Sequence, residues 1–226
     1  RDSSVTGVQT CALPILMAFR LVYTGQQNSA QDSRPRSWVV DHLDPDAMRH
    51  TVDHVASAYQ LAFGPMLGRT IDSIFADSFE AVPLSNTLLW SSSTLAEFRR
   101  RKGYDLTRFL PAIWFDIGPE TPRIRTDVNS FLHSIALDFC FKPFLEACRR
   151  IGVRGRMQPH YRFNQEIIQG AGAAHVPETE VTTARFETVA DPRKATAAGA
   201  RFYGREVVSA EAYTFLHPYR YAYTLE

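Results

Sequence analysis

The 226-residue chain has little of what organises many small or specialised proteins. It carries only three cysteines, too few for a disulfide scaffold of this length. It lacks a surplus of either charge: 25 Lys and Arg stand against 24 Asp and Glu, a net of +1, so nothing favours a nucleic-acid or anionic-membrane partner. No run reaches the roughly 18 consecutive apolar residues that a bilayer span requires. The motifs G-x-G-x-x-G and G-x-x-x-x-G-K-[ST] are absent, which weakens a nucleotide-binding reading. G-x-S-x-G is absent too, and neither Cys140 nor Cys148 has a nucleophile's loop position, which argues against acyl transfer. What remains is a chain with 45% apolar and 12% aromatic residues, enough for one sizeable core.

Residues 5–15 stand apart. Val5-Thr-Gly-Val-Gln-Thr-Cys-Ala-Leu-Pro-Ile15 resembles the translation of a sequencing-library adapter oligonucleotide. A secretory signal is the alternative for this apolar stretch, but it has no basic n-region beyond Arg1 and no small-x-small cleavage site. Residues 1–15 are therefore set aside as a non-native segment, and 16–226 are read as a piece of a longer domain. Cys11 falls in the excluded part. Cys140 and Cys148 lie eight residues apart in one helical pattern, a rise of about 12 Å. A disulfide tolerates about 7 Å between Cα atoms, so two buried thiols are expected.

Short apolar runs alternate with amphipathic helices. Strands are expected at residues 20–24, 38–40, 71–76, 153–158 and 206–210. Helices are expected at 44–63, 94–102, 126–150 (kinked or split by Pro143) and 191–204. Asp44-Pro-Asp46 supplies a cap, a first-turn proline and an acidic first turn. The run Arg99-Arg-Arg-Lys102 reads as a solvated helix face. This strand–helix alternation, with polar residues just after the strands, predicts an α/β protein with a parallel sheet. A partial (β/α)8 TIM-like barrel, truncated at both ends, fits better than a doubly wound sheet, because a barrel carries its chemistry on loops after the strands.

Candidate groups gather there. Glu80 and Asp77 follow the strand at 71–76, His160 follows the strand at 153–158, and Glu211 follows the strand at 206–210. Glu178 and Glu180 alternate in a segment that reads as a polar loop. Two carboxylates at the C-terminal end of a barrel are what glycoside hydrolysis uses, one to protonate the leaving oxygen and one to activate water or attack the sugar. His50 and His54 share a helix face, but H-E-x-x-H is missing, and a zinc site is not expected. Trp38, Trp90, Trp114, Tyr161 and Tyr213 are aromatics that could stack on sugar faces, although most aromatics serve packing.

Three segments together resemble the α-L-rhamnosidases of glycoside hydrolase family 106: Asp77-Ser-Phe-Glu80; Glu97-Phe-Arg-Arg-Arg-Lys-Gly-Tyr-Asp-Leu106 with Phe109-Leu-Pro111; and Gly199-Ala-Arg-Phe-Tyr-Gly-Arg-Glu-Val-Val-Ser-Ala-Glu-Ala-Tyr-Thr214. The resemblance implies a (β/α)8 catalytic domain, inverting hydrolysis of terminal α-L-rhamnosides, a carbohydrate substrate and a Ca2+ ion that helps hold the sugar. It implies Glu80 as general acid and Glu180 as general base, with Glu178 as a rival for the base. Asp77, Gln158, His160, Glu211 and Tyr213 are then sugar-binding candidates, with Glu211 lining the sugar pocket or touching the ion; the calcium ligands stay unassigned. The alternatives are a retaining glycosidase that pairs Glu80 with Glu211, and a non-catalytic carbohydrate-binding barrel. The 226-residue chain alone is expected to be inactive. A periplasmic or secreted setting is compatible with such an enzyme, and the sequence carries no signal for an oligomeric state.

Overall fold

The structure is a computed structural model that describes residues 16–27, 37–79, 87–159, 166–182 and 192–214. Four strands, β1 (Ser73–Ala76), β2 (Arg154–Met157), β3 (Val176–Thr182) and β4 (Ser209–Thr214), form one parallel sheet in the order β1-β2-β3-β4. Among the described residues six α-helices connect and flank these strands: α1 (Pro45–Phe63), α2 (Thr94–Lys102), α3 (Thr121–Ala136), α4 (Lys142–Arg150), α5 (Ile167–Ala173) and α6 (Pro192–Phe202). Helices lie between consecutive strands whose sequence order equals their spatial order, as in successive βα units of a barrel. The sheet of described strands is open, which agrees with part of a barrel.

Local chemistry explains the best-defined elements. The Asp44 carboxylate accepts from the backbone N–H groups of Asp46 and Ala47 and starts α1 at Pro45. Met48, Val52 and Ala56 then recur on one buried face. Helix α2 ends at Gly103, whose φ of 80° suits a residue without Cβ. The pattern at 126–150 is longer than expected and divided: α3 begins at Thr121, Leu137–Phe141 form a π-helical turn, and α4 follows with Pro143 in its first turn. A proline is tolerated there because first-turn N–H groups have no partner within the helix.

Two apolar clusters hold the fold. The first joins α1, β1, α4 and β2 through residues such as Val52, Ile74, Leu145 and Met157. Gly155 lets α4 sit close to β2, since a Cβ there would come within 2.6 Å of Leu145 Cδ2 and 3.1 Å of Phe144. Cys140 and Cys148 belong to this cluster as free thiols, and burial pushes them up to about 12 and about 11. The second cluster packs α2, α3 and the 3-10 segment Thr107–Ile113 around Phe98, Leu106, Ile124 and Phe131.

The structure corrects several expectations. Residues 20–24 and 38–40 form no strands; among the described residues an isolated antiparallel bridge, Gln27 to Trp38, is the only β pairing nearby. Residues 20–23 are exposed, so their apolar side chains do not gain the burial that would stabilise a ladder. The basic run is not simply a solvated face. Arg101 bonds Glu97, Ser134 and Asp138, and Lys102 bonds Ser130, so half of the run docks α2 onto α3 and the π turn. Residues 176–180, expected as loop, form most of β3, and β4 starts at Ser209 rather than residue 206.

Glu97 anchors this docking. Arg100 donates to it at 2.8 and 2.5 Å and Arg101 at 2.5 Å, and the Arg100 bonds foremost, with those of Arg101, hold its carboxyl down at about 2. A depressed carboxylate adds stability above its unfolded pKa, near 4.3, and that share disappears as the pH falls through the folded value. The melting-temperature gap between wild type and Glu97→Gln is therefore expected to be full at pH 6 and to close between about pH 4.5 and 2. A gap independent of pH, read by circular dichroism, would refute this.

Candidate functional site

Strand alternation decides which side chains share a face. On β1 and β2, Ile74, Gly155 and Met157 turn toward the helices and the first cluster. The opposite face carries Arg156 and Gln158 from β2 and its end, then Glu178 and Glu180 from β3, then Ser209 and Glu211 from β4. The register sets Glu178 beside Ser209 and Glu180 beside Glu211. Gln158 joins the row because its N–H donates to the Ala76 carbonyl at 3.3 Å, which continues the β1–β2 ladder past Met157. The C-terminal half of this face is thus a strip of carboxylates with one amide, where a parallel barrel keeps its chemistry.

The groups of the strip are bonded to one another. Glu178 is 2% exposed, and its Oε2 accepts from Ser209 Oγ at 2.6 Å. Arg156 Nε lies 3.0 Å from the same oxygen, an ion pair in which the N–H is not directed along the N···O line. The Arg156 guanidinium also stacks over the Phe75 ring, 4.7 Å from its centroid. Gln158 is 0% exposed; its Nε2 donates to Glu211 Oε2 at 2.7 Å and lies 3.4 Å from Glu178 Oε1. A carboxylate only accepts, so the nitrogen end of the amide must face both acids. Gln158 Oε1 is buried without a hydrogen-bond partner among the described residues. Glu180 and Glu211 are both half-buried.

The expected site residues divide accordingly. Gln158, Glu180 and Glu211 are brought together, with Glu211 inside β4 rather than just beyond its strand. Asp77 follows β1 at the same end of the sheet, exposed, its carboxylate accepting from the Ser78 N–H at 2.7 Å. Tyr213 belongs to β4 by its backbone. Glu80, His160 and Tyr161 lie outside the described residues. Arg156 and Ser209 were missed. The i, i+2 pairs Arg156/Gln158, Glu178/Glu180 and Ser209/Glu211 were the available signal, a period-2 pattern of polar residues instead of apolar ones.

A second feature adjoins the end of β1. Trp38, Trp90 and Trp114, from three separate segments, line one cleft of about 1550 Å³ with Phe19, His42 and Phe79. His42 packs edge-on against Phe79, with centroids 4.7 Å apart, and burial lowers its pKa despite the charge of Asp41. Phe79, three residues past β1 (Ser73–Ala76), brings this cleft to the C-terminal end of that strand.

His50 and His54 are exposed on α1, and no group of three His, Cys, Asp or Glu side chains among the described residues converges as a cation site. Donors crowd the carboxylates that do converge: Arg156, Ser209 and the Gln158 amide face Glu178, and the same amide faces Glu211. The N–H donors on Glu178 and Glu211 occupy oxygens that a hard cation such as calcium would use, and no calcium ligand is assigned among the described residues. Among these residues, no helix is long and apolar enough to cross a membrane.

Comparison with known proteins agrees with this architecture. A rhamnosidase structure from Novosphingobium sp. PP1Y superposes with a TM-score of 0.68 at 20% identity, covering 82% of this chain and 18% of that one. A Formosa agariphila protein named "Putative beta-glucuronidase" is 23% identical over 154 residues, 67% of this chain and 13% of that protein. The chain thus spans under a fifth of the length of either relative. The family model for glycoside hydrolase family 106, alpha-L-rhamnosidase, matches residues 15–134. With more than half of its length matched in this way, and with the sheet and helices of a rhamnosidase fold, the chain belongs to glycoside hydrolase family 106.

Proposed function

We propose that this chain is part of a glycoside hydrolase that removes terminal α-L-rhamnosyl groups by an inverting, two-carboxylate reaction. The observation that carries the reading is the strip of Gln158, Glu178, Glu180 and Glu211 at the C-terminal end of a parallel sheet in a family 106 chain. Glu80 acts as the general acid and protonates the glycosidic oxygen as the C–O bond breaks. Glu180 acts as the general base and takes a proton from a water that attacks the anomeric carbon from the opposite face. Room for that water requires the two carboxyl groups to stand about 6.5–9.5 Å apart. Asp77, Gln158, His160, Glu211 and Tyr213 would hold sugar hydroxyls and the ring, with the three-tryptophan cleft beside β1 offering faces for stacking. The calcium ion implied by the family resemblance has no assigned ligand here, and no step passes through it.

A second reading makes Glu211 the partner of Glu80. A specific observation favours it: the Gln158 amide fixes the Glu211 carboxylate at 2.7 Å, which pre-orients it as a reacting group needs. In its retaining form this pair would be about 5–5.5 Å apart.

Product stereochemistry separates the two mechanisms. The intact enzyme that carries this chain, given an aryl α-L-rhamnoside, is expected to release β-L-rhamnose first, followed by proton NMR before mutarotation. The α anomer as first product would exclude inversion and leave the retaining pair. Sugar binding without turnover on a panel of aryl glycosides would instead mark a binding module.

A further inference from the structure

We infer that Glu178 is a positioning residue that acts through Gln158 on Glu211, rather than a rival for the role of base. The inference rests on the second reading above, in which Glu211 is the reacting partner of Glu80, and it assigns Glu178, Arg156 and Ser209 a part in that site.

Glu178 is buried and its oxygens are committed. Ser209 Oγ and Arg156 Nε crowd one oxygen at 2.6 and 3.0 Å, while the other faces the Gln158 amide nitrogen at 3.4 Å. A base must reach a water at the sugar, and a carboxylate 2% exposed and gripped by its neighbours has no such access. What it can do is orient. Gln158 has two ends of equal size and opposite polarity, and it is wholly buried between Glu178 and Glu211. With two acceptor-only carboxylates on one side, the flipped amide would set its oxygen against two anions. Glu178 therefore selects the orientation in which Nε2 holds Glu211 Oε2 at 2.7 Å. Arg156 and Ser209 in turn hold Glu178 in place, and stacking on Phe75 steadies Arg156. The buried Gln158 Oε1, without a partner among the described residues, is the cost of this orientation. A polar atom is left unsatisfied so that the amide nitrogen faces the two acids.

The test uses the intact enzyme that carries this chain, an aryl α-L-rhamnoside, and selective 15N-glutamine labelling. Glu178→Gln and the milder Ser209→Ala are expected to lower kcat by about 10- to 100-fold and to leave KM within about twofold, since misplacing a reacting group weakens the transition state more than substrate binding. Glu178→Asp, which keeps the charge, is expected to recover part of the loss. The Gln158 side-chain amide signal, identified by its disappearance in Gln158→Leu, is expected to exchange with water at least about tenfold faster in Glu178→Gln than in wild type. If Glu178→Gln does not fold, Ser209→Ala carries both measurements.

Unchanged kcat together with unchanged amide exchange overturns the inference. So does a Glu178→Gln variant that is inactive and regains turnover with added azide, because that result makes Glu178 a reacting carboxylate. A wild-type enzyme with no turnover on any aryl rhamnoside defeats the proposed function instead. In that case amide exchange alone decides whether Glu178 orients Gln158, with an unaltered rate refuting it.

Discussion

Replacing Glu80 with Gln in the intact enzyme is expected to reduce kcat on alkyl or sugar rhamnosides by about 10²–10⁴-fold, the range over which a positioned proton donor accelerates a reaction. The reduction should depend on the leaving group. A poor leaving group needs its oxygen protonated as the bond breaks, whereas an activated aryl group departs as a stabilised anion and asks little of the acid. Glu80→Gln is therefore expected to spare nitrophenyl substrates relative to alkyl ones. The base variant should behave differently: water must still be activated whatever departs, so losses of similar size are expected on every substrate. Glu180→Gln and Glu211→Gln are the two candidates for that behaviour, and they stand side by side in the β3–β4 register. Uniform loss in Glu180→Gln with a milder effect in Glu211→Gln supports the inverting assignment. The reverse transfers the second carboxylate to Glu211, whose hold by Gln158 would then matter directly for the rate. Equal activity of Glu80→Gln and wild type on alkyl substrates would remove Glu80 from the reaction. Michaelis–Menten constants across a leaving-group series read all of these outcomes.

These variants bear on residues that the sequence exposes unevenly. The helices were legible: α1 with its Asp44 cap, α2 ending at Gly103, and α6 stopping ahead of Gly204. Each combines a 3.6-residue pattern with a terminator of known stereochemistry. The elements that build the candidate site were not. Val176-Pro-Glu-Thr-Glu180 looks like a loop because its inward positions are acids, yet those positions alternate in β3 as apolar ones would in a core strand. The cleft face of a parallel sheet is polar where its chemistry sits, so the usual sign of a strand is inverted there. Helix α5 escaped for another reason. Gly170, Ala171 and Gly172 are buried by close contact, not by bulk, and they leave no apolar period to detect. The two N-terminal segments show the converse failure, since apolar side chains at residues 20–24 and 38–40 suggested strands that have no ladder among the described residues. Periodicity thus located the packing, and the candidate site lay where periodicity carried the opposite polarity.

The largest effect on stability is expected at Phe98. Its side chain is 0% exposed, and its ring meets Tyr104 and Phe131 edge-on, with centroids 5.1 Å away in both pairs. These contacts join α2 to α3 at the centre of the second cluster, beside Leu106 and Ile124. Cutting Phe98 to Ala removes the ring's transfer free energy and leaves a cavity walled by two helices and the 3-10 segment, which cannot close without parting from their other neighbours. A loss of about 3–5 kcal/mol is expected, or a fall of about 10–15 °C in Tm for a body of this size. Leu61→Ala on α1 is the matched control: this side chain is 91% exposed, and the change should shift stability by only a few tenths of a kcal/mol, with helix propensity slightly in favour of alanine. Urea unfolding followed by circular dichroism measures both. The contrast also probes the docking surface, because Arg101 and Lys102 reach α3 and the π turn from the same helix as Phe98. If Phe98→Ala and Leu61→Ala lose the same small amount, α2 is held by its ion pairs and not by its core face. A large loss in Phe98→Ala alone makes those ion pairs secondary, as expected for bonds that lie partly in water.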